Sequence, residues 1–176
     1  MENRFINQIE EVVSALNDAG LPFALIGGLA LASHNVVRAT QDIDLLADIA
    51  DGDRIAILLE KLGYRCIHRS ADAGNHLRGD ERVDLLYASR PIARHLLTTA
   101  TEQQTSFGKL RVVSAEGLIG FKLQAIANDP RRIRDLDDIR ALMRANRESL
   151  DRTELREYFK LFNRESLLDE LLNEIK

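Results

Sequence analysis

The chain has 176 residues, of which 45% are hydrophobic and 30% charged, with three prolines and no tryptophan. That composition excludes a disordered or fibrous chain and allows one domain with a core, or a domain with a helical appendage. A net charge of −4 and a single cysteine, Cys66, exclude a globally basic nucleic-acid binder and an intramolecular disulfide framework.

In chain order, residues 4–18 repeat apolar side chains at Phe5, Ile6, Ile9, Val12, Val13 and Leu16, which predicts an amphipathic helix closed by Gly20. Residues 22–27 read as a buried strand and 28–34 as a short helix leaving directly from Gly27 and Gly28. Residues 42–47 form the next strand, and 51–62 a helix stopped by Gly63. Residues 64–69, 76–79 and 83–88 read as short strands, with 70–75 as a polar turn. Pro91 suits the first turn of a helix over 91–100, and 109–113 is a further strand. From Ser114, an N-cap residue type, the pattern is helical to the end, over 115–127, 131–145, 151–162 and 164–175. Alternating helices and strands followed by an all-helical third predict an α+β fold. Its parts are a small mixed sheet flanked by helices over 1–113 and a C-terminal helical module over 114–176.

The glycine pair follows the apolar run Phe23-Ala24-Leu25-Ile26 and suits a backbone that turns sharply and comes close to a ligand. Asp42 and Asp44, one residue apart in a strand, project to the same face. Two carboxylates crowded there repel each other unless a cation sits between them. A glycine turn for phosphate and an acid pair for Mg²⁺ together predict phosphoryl or nucleotidyl transfer. A two-metal site needs acids converging from neighbouring strands. Asp84 lies in Arg82-Val83-Asp84-Leu85-Leu86, where aspartate otherwise has poor strand propensity, and is the candidate third ligand. The competing structural explanation is that Asp42 and Asp44 cap a turn or pair with Arg38.

Gly27-Gly28, Arg38-Ala39-Thr40 and Asp42-Ile43-Asp44-Leu45-Leu46 resemble the signature of the DNA polymerase β-like nucleotidyltransferase superfamily. The likeness is to its stand-alone branch related to the AbiEii and MenT toxins. The resemblance implies a glycine turn that holds the triphosphate and acidic strand residues that bind two Mg²⁺. Many members carry Gly-Ser where this chain has Gly27-Gly28, which leaves one phosphate contact without its hydroxyl; the double glycine is itself a pattern of the toxin-related branch. Arg38 and Thr40 match positions leading into the acidic strand and are candidate phosphate contacts, with a plain surface position as the alternative for Arg38.

The helical third carries a second signal. Leu118, Phe121, Ala125 and Ile126 define an apolar stripe with Lys122 near its centre, and a lysine there must snorkel or find an anionic partner such as a triphosphate. In the next helix Ile133, Leu136, Ile139, Leu142 and Met143 form the expected buried stripe; Asp135 and Asp138 border it, and Asp137 points away. Residues 118–123 and 134–139 resemble the lysine and aspartate motifs of the toxin-related branch. That resemblance implies Lys122 as a nucleotide-phosphate contact and Asp138, with Asp135 as competitor, as the helical acid. Arg131, Arg132, Arg134, Arg140, Arg144 and Arg147 offer a patch for an RNA backbone or, interleaved with acids, a solvated helix surface. His34 either lines the nucleotide site or packs at a helix end.

The implied function is Mg²⁺-dependent transfer of an NMP from an NTP to an acceptor hydroxyl with release of pyrophosphate. In it Asp42 and Asp44 hold the metals, Asp84 completes the site and helps deprotonate the acceptor, and Lys122 neutralises developing charge. The implied acceptors are tRNA or a small hydroxylated compound of aminoglycoside type, and the implied protein partner is an antitoxin. A non-catalytic nucleotide- or protein-binding module of the same fold is the alternative. No apolar run approaches the ~18 residues of a membrane span and no signal peptide opens the chain, so a soluble cytoplasmic protein is expected.

Overall fold

A computed structural model describes residues 2–105 and 108–175, without the side chains of Glu2 and Asn3; the expected domain limits at 1 and 176 lie outside the described residues. The chain divides into two compact units, Met1–Ala30 with Ala39–Val113 and Leu31–Arg38 with Ser114–Lys176.

The first unit is built on a mixed sheet. Its helices are α1 (Glu2–Asp18), the start of α2 (Gly27–Ser33), α3 (Gly52–Lys61) and α4 (Pro91–Thr99). Its strands are β1 (Phe23–Leu25), β2 (Asp42–Asp48), β3 (Arg65–Arg69), β4 (Ala73–Arg78), β5 (Glu81–Ala88), β6 (Thr101–Thr105) and β7 (Gly108–Val112). Among the described residues the strand order is β3-β4-β5-β2-β1-β7-β6. The pairing β2–β5 is parallel and β1–β2 antiparallel, so two acid-bearing strands lie side by side at the centre. Along β2, half-exposed Asp42 and Asp44 alternate with buried Ile43 and Leu45, the period-2 pattern of a strand with one covered face. α1 offers the core Ile9, Val12 and Leu16, all fully buried, and packs against α3. Each such side chain contributes about 1.5–3 kcal/mol by leaving water.

The second unit contains α5 (Ala115–Asn128), α6 (Ile133–Ala145), α7 (Arg152–Leu161) and α8 (Glu165–Glu174). Ser114 caps α5 by accepting from the Gly117 N–H at 3.1 Å, and Asp151 caps α7 by accepting from Thr153 and Glu154. Buried Glu116 in the first turn of α5 accepts from the Asp151 N–H at 2.7 Å, tying the start of α7 to α5. The apolar faces meet through Leu118, Ile119 and Leu123 of α5, Ile139, Leu142 and Met143 of α6, and Leu155 and Phe159 of α7.

The α+β architecture follows the expectation from sequence, with three local corrections. Residues 73–75 belong to β4 rather than to a turn, because they pair with β5 through Ala73–Leu86, Gly74–Leu85 and Asn75–Asp84. β6 was not expected at all: Thr-Glu-Gln-Gln-Thr has no apolar alternation, and its strand form rests on pairing with β7. Ile133, expected in the buried stripe of α6, is 70% exposed. The buried face of that helix is rotated onto Asp135, Asp138, Ile139, Leu142 and Met143.

Candidate active site

In the first unit the parallel register of β2 and β5 sets Asp44 directly opposite Asp84 and Asp42 opposite Arg82. Asp42, Asp44, Arg82 and Asp84 therefore share one half-exposed sheet face, while Ile43, Leu45, Val83 and Leu85 fill the other. The glycine turn sits against that face. The Ile26 N–H donates to the Asp44 carbonyl at 3.1 Å, and Gly27 takes a left-handed φ of 63°. A Cβ on Gly27 would collide with the Asp44 carboxylate, so the position needs glycine both for its dihedral and for space. Thr40 stands beside Gly28, and its hydroxyl donates to the Asp42 carbonyl at 3.2 Å.

Asp84 is held by partners on its own sheet. Its Oδ1 accepts from Asn75 Nδ2 at 2.7 Å, and both carboxylate oxygens accept from Arg82 Nε at 3.0 Å. The donor set suits a hard cation, with carboxylate oxygens from adjacent strands on one face. Among the described residues, however, no three acidic, histidine or cysteine side chains are gathered closely enough to enclose an ion. Asp42 and Asp44 are the pair that fits a metal most directly, and Asp84 stands opposite Asp44 with Arg82 and Asn75 on its carboxylate. Arg82 and Asn75 were missed as site residues. Arg82 was legible, two positions before Asp84 on the same strand face; Asn75 was not, since only the β4–β5 register brings it to Asp84.

The second unit carries a separate charged cluster, built where α5 meets α6. Lys122 Nζ lies 2.9 Å from Asp135 Oδ1 and 2.6 Å from Asp138 Oδ2. Arg132 pairs with the other oxygen of Asp135, and Arg38 pairs with Asp138. The lysine thus finds its anionic partners within the protein, which answers the sequence question of how a charge is tolerated on the apolar stripe. The competition between Asp135 and Asp138 also takes a new form, because both are buried and both hold Lys122. Burial alone would raise the Asp135 carboxyl, but hydrogen bonds from Lys122 and Arg132 outweigh it and hold the group below the usual carboxylate range. Three cations against two anions leave the cluster with one net positive charge. Asp137, as expected, points away; its side chain is 67% exposed.

Arg38, Arg131, Arg132, Ile133, Arg134 and Asp135 line a surface pocket at the start of α6. A larger cavity of about 870 Å³ lies elsewhere in this unit, walled by Arg147, Glu148, Arg152 and Asp169, whose mixed charges suit no particular ligand. The main-chain carbonyl of His34 accepts from Asn146 Nδ2 at 3.0 Å, so that segment is tied to the end of α6. Among the described residues no helix is long and apolar enough to cross a membrane.

Residues 63–176 match the family described as "Nucleotidyl transferase AbiEii toxin, Type IV TA system", a span that takes in Asp84, Lys122, Asp135 and Asp138. No curated protein sequence matches the chain. The fold is similar to the solution structure of the antibiotic-resistance factor ANT(2'')-Ia, with a TM-score of 0.73 at 19% identity over 97% of each chain. It is also similar to the lincosamide antibiotic adenylyltransferase LnuA, with a TM-score of 0.58 at 15% identity over 77% of this chain and 94% of that one. An antigenic nucleotidyltransferase-like protein from Paracoccidioides brasiliensis has a TM-score of 0.58 at 18% identity, over 97% and 93% of the two chains.

Proposed function

Because the chain belongs to the nucleotidyl transferase AbiEii toxin family of type IV toxin–antitoxin systems, we propose that it is a Mg²⁺-dependent enzyme that transfers an NMP from an NTP to an acceptor hydroxyl of a cellular RNA, tRNA first, and releases pyrophosphate. That it is a nucleotidyltransferase follows from the family; the metal, the acceptor and the toxin role are the proposal. The observation that supports it most is the register that lines Asp42, Asp44 and Asp84 along one face of β2 and β5, against the turn at Gly27.

Asp42 and Asp44 would hold Mg²⁺, with Asp84 as the third ligand, and the metal there supplies Lewis acidity toward the triphosphate and the acceptor oxygen. Gly27 and Gly28 let bare backbone approach the triphosphate. Asp84, once exchanged from Arg82, accepts the proton of the acceptor hydroxyl. In the second unit Lys122 answers phosphate charge, and Arg38 and Arg132 keep its cluster net positive while the two aspartates hold it in place. The arginine-lined pocket at α6 suits the phosphate backbone of an RNA acceptor, and an antitoxin is the protein partner that the family implies.

A second reading takes a small hydroxylated compound as acceptor, since ANT(2'')-Ia and LnuA, both concerned with antibiotics, share the fold. One experiment separates the two. The protein is incubated with each α-labelled NTP, Mg²⁺, total RNA and a panel of small hydroxyl compounds, and the label is traced. Label on RNA supports the proposal and label on a small compound supports the second reading. A folded protein that transfers no label and binds no Mg²⁺–NTP in calorimetry would instead be a non-catalytic module.

A further inference from the structure

Gly28 has no backbone reason to be glycine. Its φ is not in the left-handed region, unlike that of Gly27, so any residue could adopt its conformation. The reason is space. A Cβ on Gly28 would lie 2.7 Å from Thr40 Cβ, 2.8 Å from Thr40 Oγ1 and 3.2 Å from Thr40 Cγ2. Thr40 therefore fills the volume that a side chain at 28 would occupy, and it brings a hydroxyl to that place. Among the described residues the hydroxyl donates to the Asp42 carbonyl, at 3.2 Å, which is longer than such bonds usually are. A rotating hydroxyl gives up a bond of that length easily for a charged acceptor. Thr40, Gly27 and Gly28 are all half-exposed, so a ligand reaches them.

We propose that the Thr40 hydroxyl is the side-chain ligand of the phosphate held at the glycine turn, and that Gly28 is glycine in order to admit it. The inference rests on the reading of that turn as a triphosphate site and adds the residue that supplies its hydroxyl. Residues 28 and 40 then form an exchangeable pair: one position supplies a hydroxyl and the other must be small.

The test uses the full chain with magnesium tripolyphosphate, a probe without base or sugar, titrated in calorimetry, with thermal unfolding as the control for folding. Thr40→Val keeps the shape and removes the hydroxyl, and is expected to weaken binding about tenfold at unchanged Tm, whereas Thr40→Ser binds within about threefold of the native chain. Gly28→Ser alone collides with Thr40 and is expected to lose both affinity and Tm. The double variant Gly28→Ser with Thr40→Ala opens the space, restores the hydroxyl from the other side, and is expected to recover binding to within about threefold. If Thr40→Val binds like the native chain, or if the double variant is no better than Gly28→Ser, the inference is overturned while the triphosphate site stands. If the native chain fails to bind the probe at all, the triphosphate site and this inference fall together.

Discussion

Gly27 and Asp44 constrain each other, so the turn and the acid belong to one local structure rather than to two motifs that happen to be near in sequence. The left-handed φ of Gly27 costs a non-glycine residue about 1–2 kcal/mol, and a methyl group there also meets the Asp44 carboxylate. Gly27→Ala is therefore expected to reduce NTP turnover about 100-fold or more by displacing Asp44, with a lower Tm; a variant with native turnover would separate the turn from the acid pair. Lys122, Asp135 and Asp138 form the other residue-level argument. Removing one partner of a buried charge group leaves the rest uncompensated, so Asp135→Ala is expected to destabilise the protein by about 3 kcal/mol in urea unfolding. Exposed Asp137→Ala is expected to change stability by less than about 0.5 kcal/mol. Equal effects of the two would remove the structural role assigned to the cluster. The identity of this cluster was half legible: Lys122 on an apolar stripe demanded an anion, but nothing in the sequence said that both Asp135 and Asp138 would supply one from within the protein.

At the scale of elements, what could be read was whatever carries its own periodicity. α1, α3 and the C-terminal helices repeat apolar residues at helical spacing and stand within a residue or two of their expected limits. β6 and the first half of β4 carry no such pattern; Ala73-Gly74-Asn75 has turn composition and becomes strand because β5 offers it a ladder. The phase of α6 departs from its apolar pattern for a different reason. Paired charges can be buried, so Asp135 and Asp138 take positions that a count of apolar residues assigns to Ile133. That phase predicts a contrast in urea unfolding: Leu142→Ala, fully buried, is expected to cost about 3 kcal/mol, and Ile133→Ser less than about 0.5 kcal/mol. A large loss for Ile133→Ser would return that residue to the core.

β4 also carries a pH dependence. His76 is fully buried, and among the described residues neither ring nitrogen makes a hydrogen bond of good geometry. Burial pushes its imidazole below the ordinary value and Arg69 adds to this, while the nearby Val83 backbone, Asp84 and Glu60 pull the other way. The unfolded chain then takes up the proton first as pH falls, so the folded state loses stability below about pH 6.5. The slope approaches about 1.4 kcal/mol per pH unit until the folded-state imidazole protonates too. Urea midpoints measured from pH 7.5 down to 5 are expected to fall in the native chain and to flatten in His76→Phe; parallel curves would assign the pH dependence to another group.

For the whole molecule, net charge and family point in different directions and are reconciled locally. The chain is acidic overall, at −4, yet gathers Arg38, Arg131, Arg132 and Arg134 around the start of α6, so an RNA backbone is expected to bind there rather than to the surface at large. The family match spans residues 63–176 and leaves the glycine turn, Asp42 and Asp44 to be identified from the sequence motif and the β2–β5 register. If the chain acts as a toxin, induced expression arrests growth and Asp44→Ala removes the arrest; arrest by both forms would divorce toxicity from nucleotidyl transfer. Nucleotidyl transfer at this site depends on Asp42 and Asp44. Its most direct test is the rate of pyrophosphate release from a mixture of the four NTPs, with Mg²⁺ and total RNA, by the native chain and by Asp42→Ala and Asp44→Ala of unchanged Tm. The expected result is release by the native chain and a loss of about 1,000-fold or more in each variant; native rates in either variant would contradict the assignment of the site.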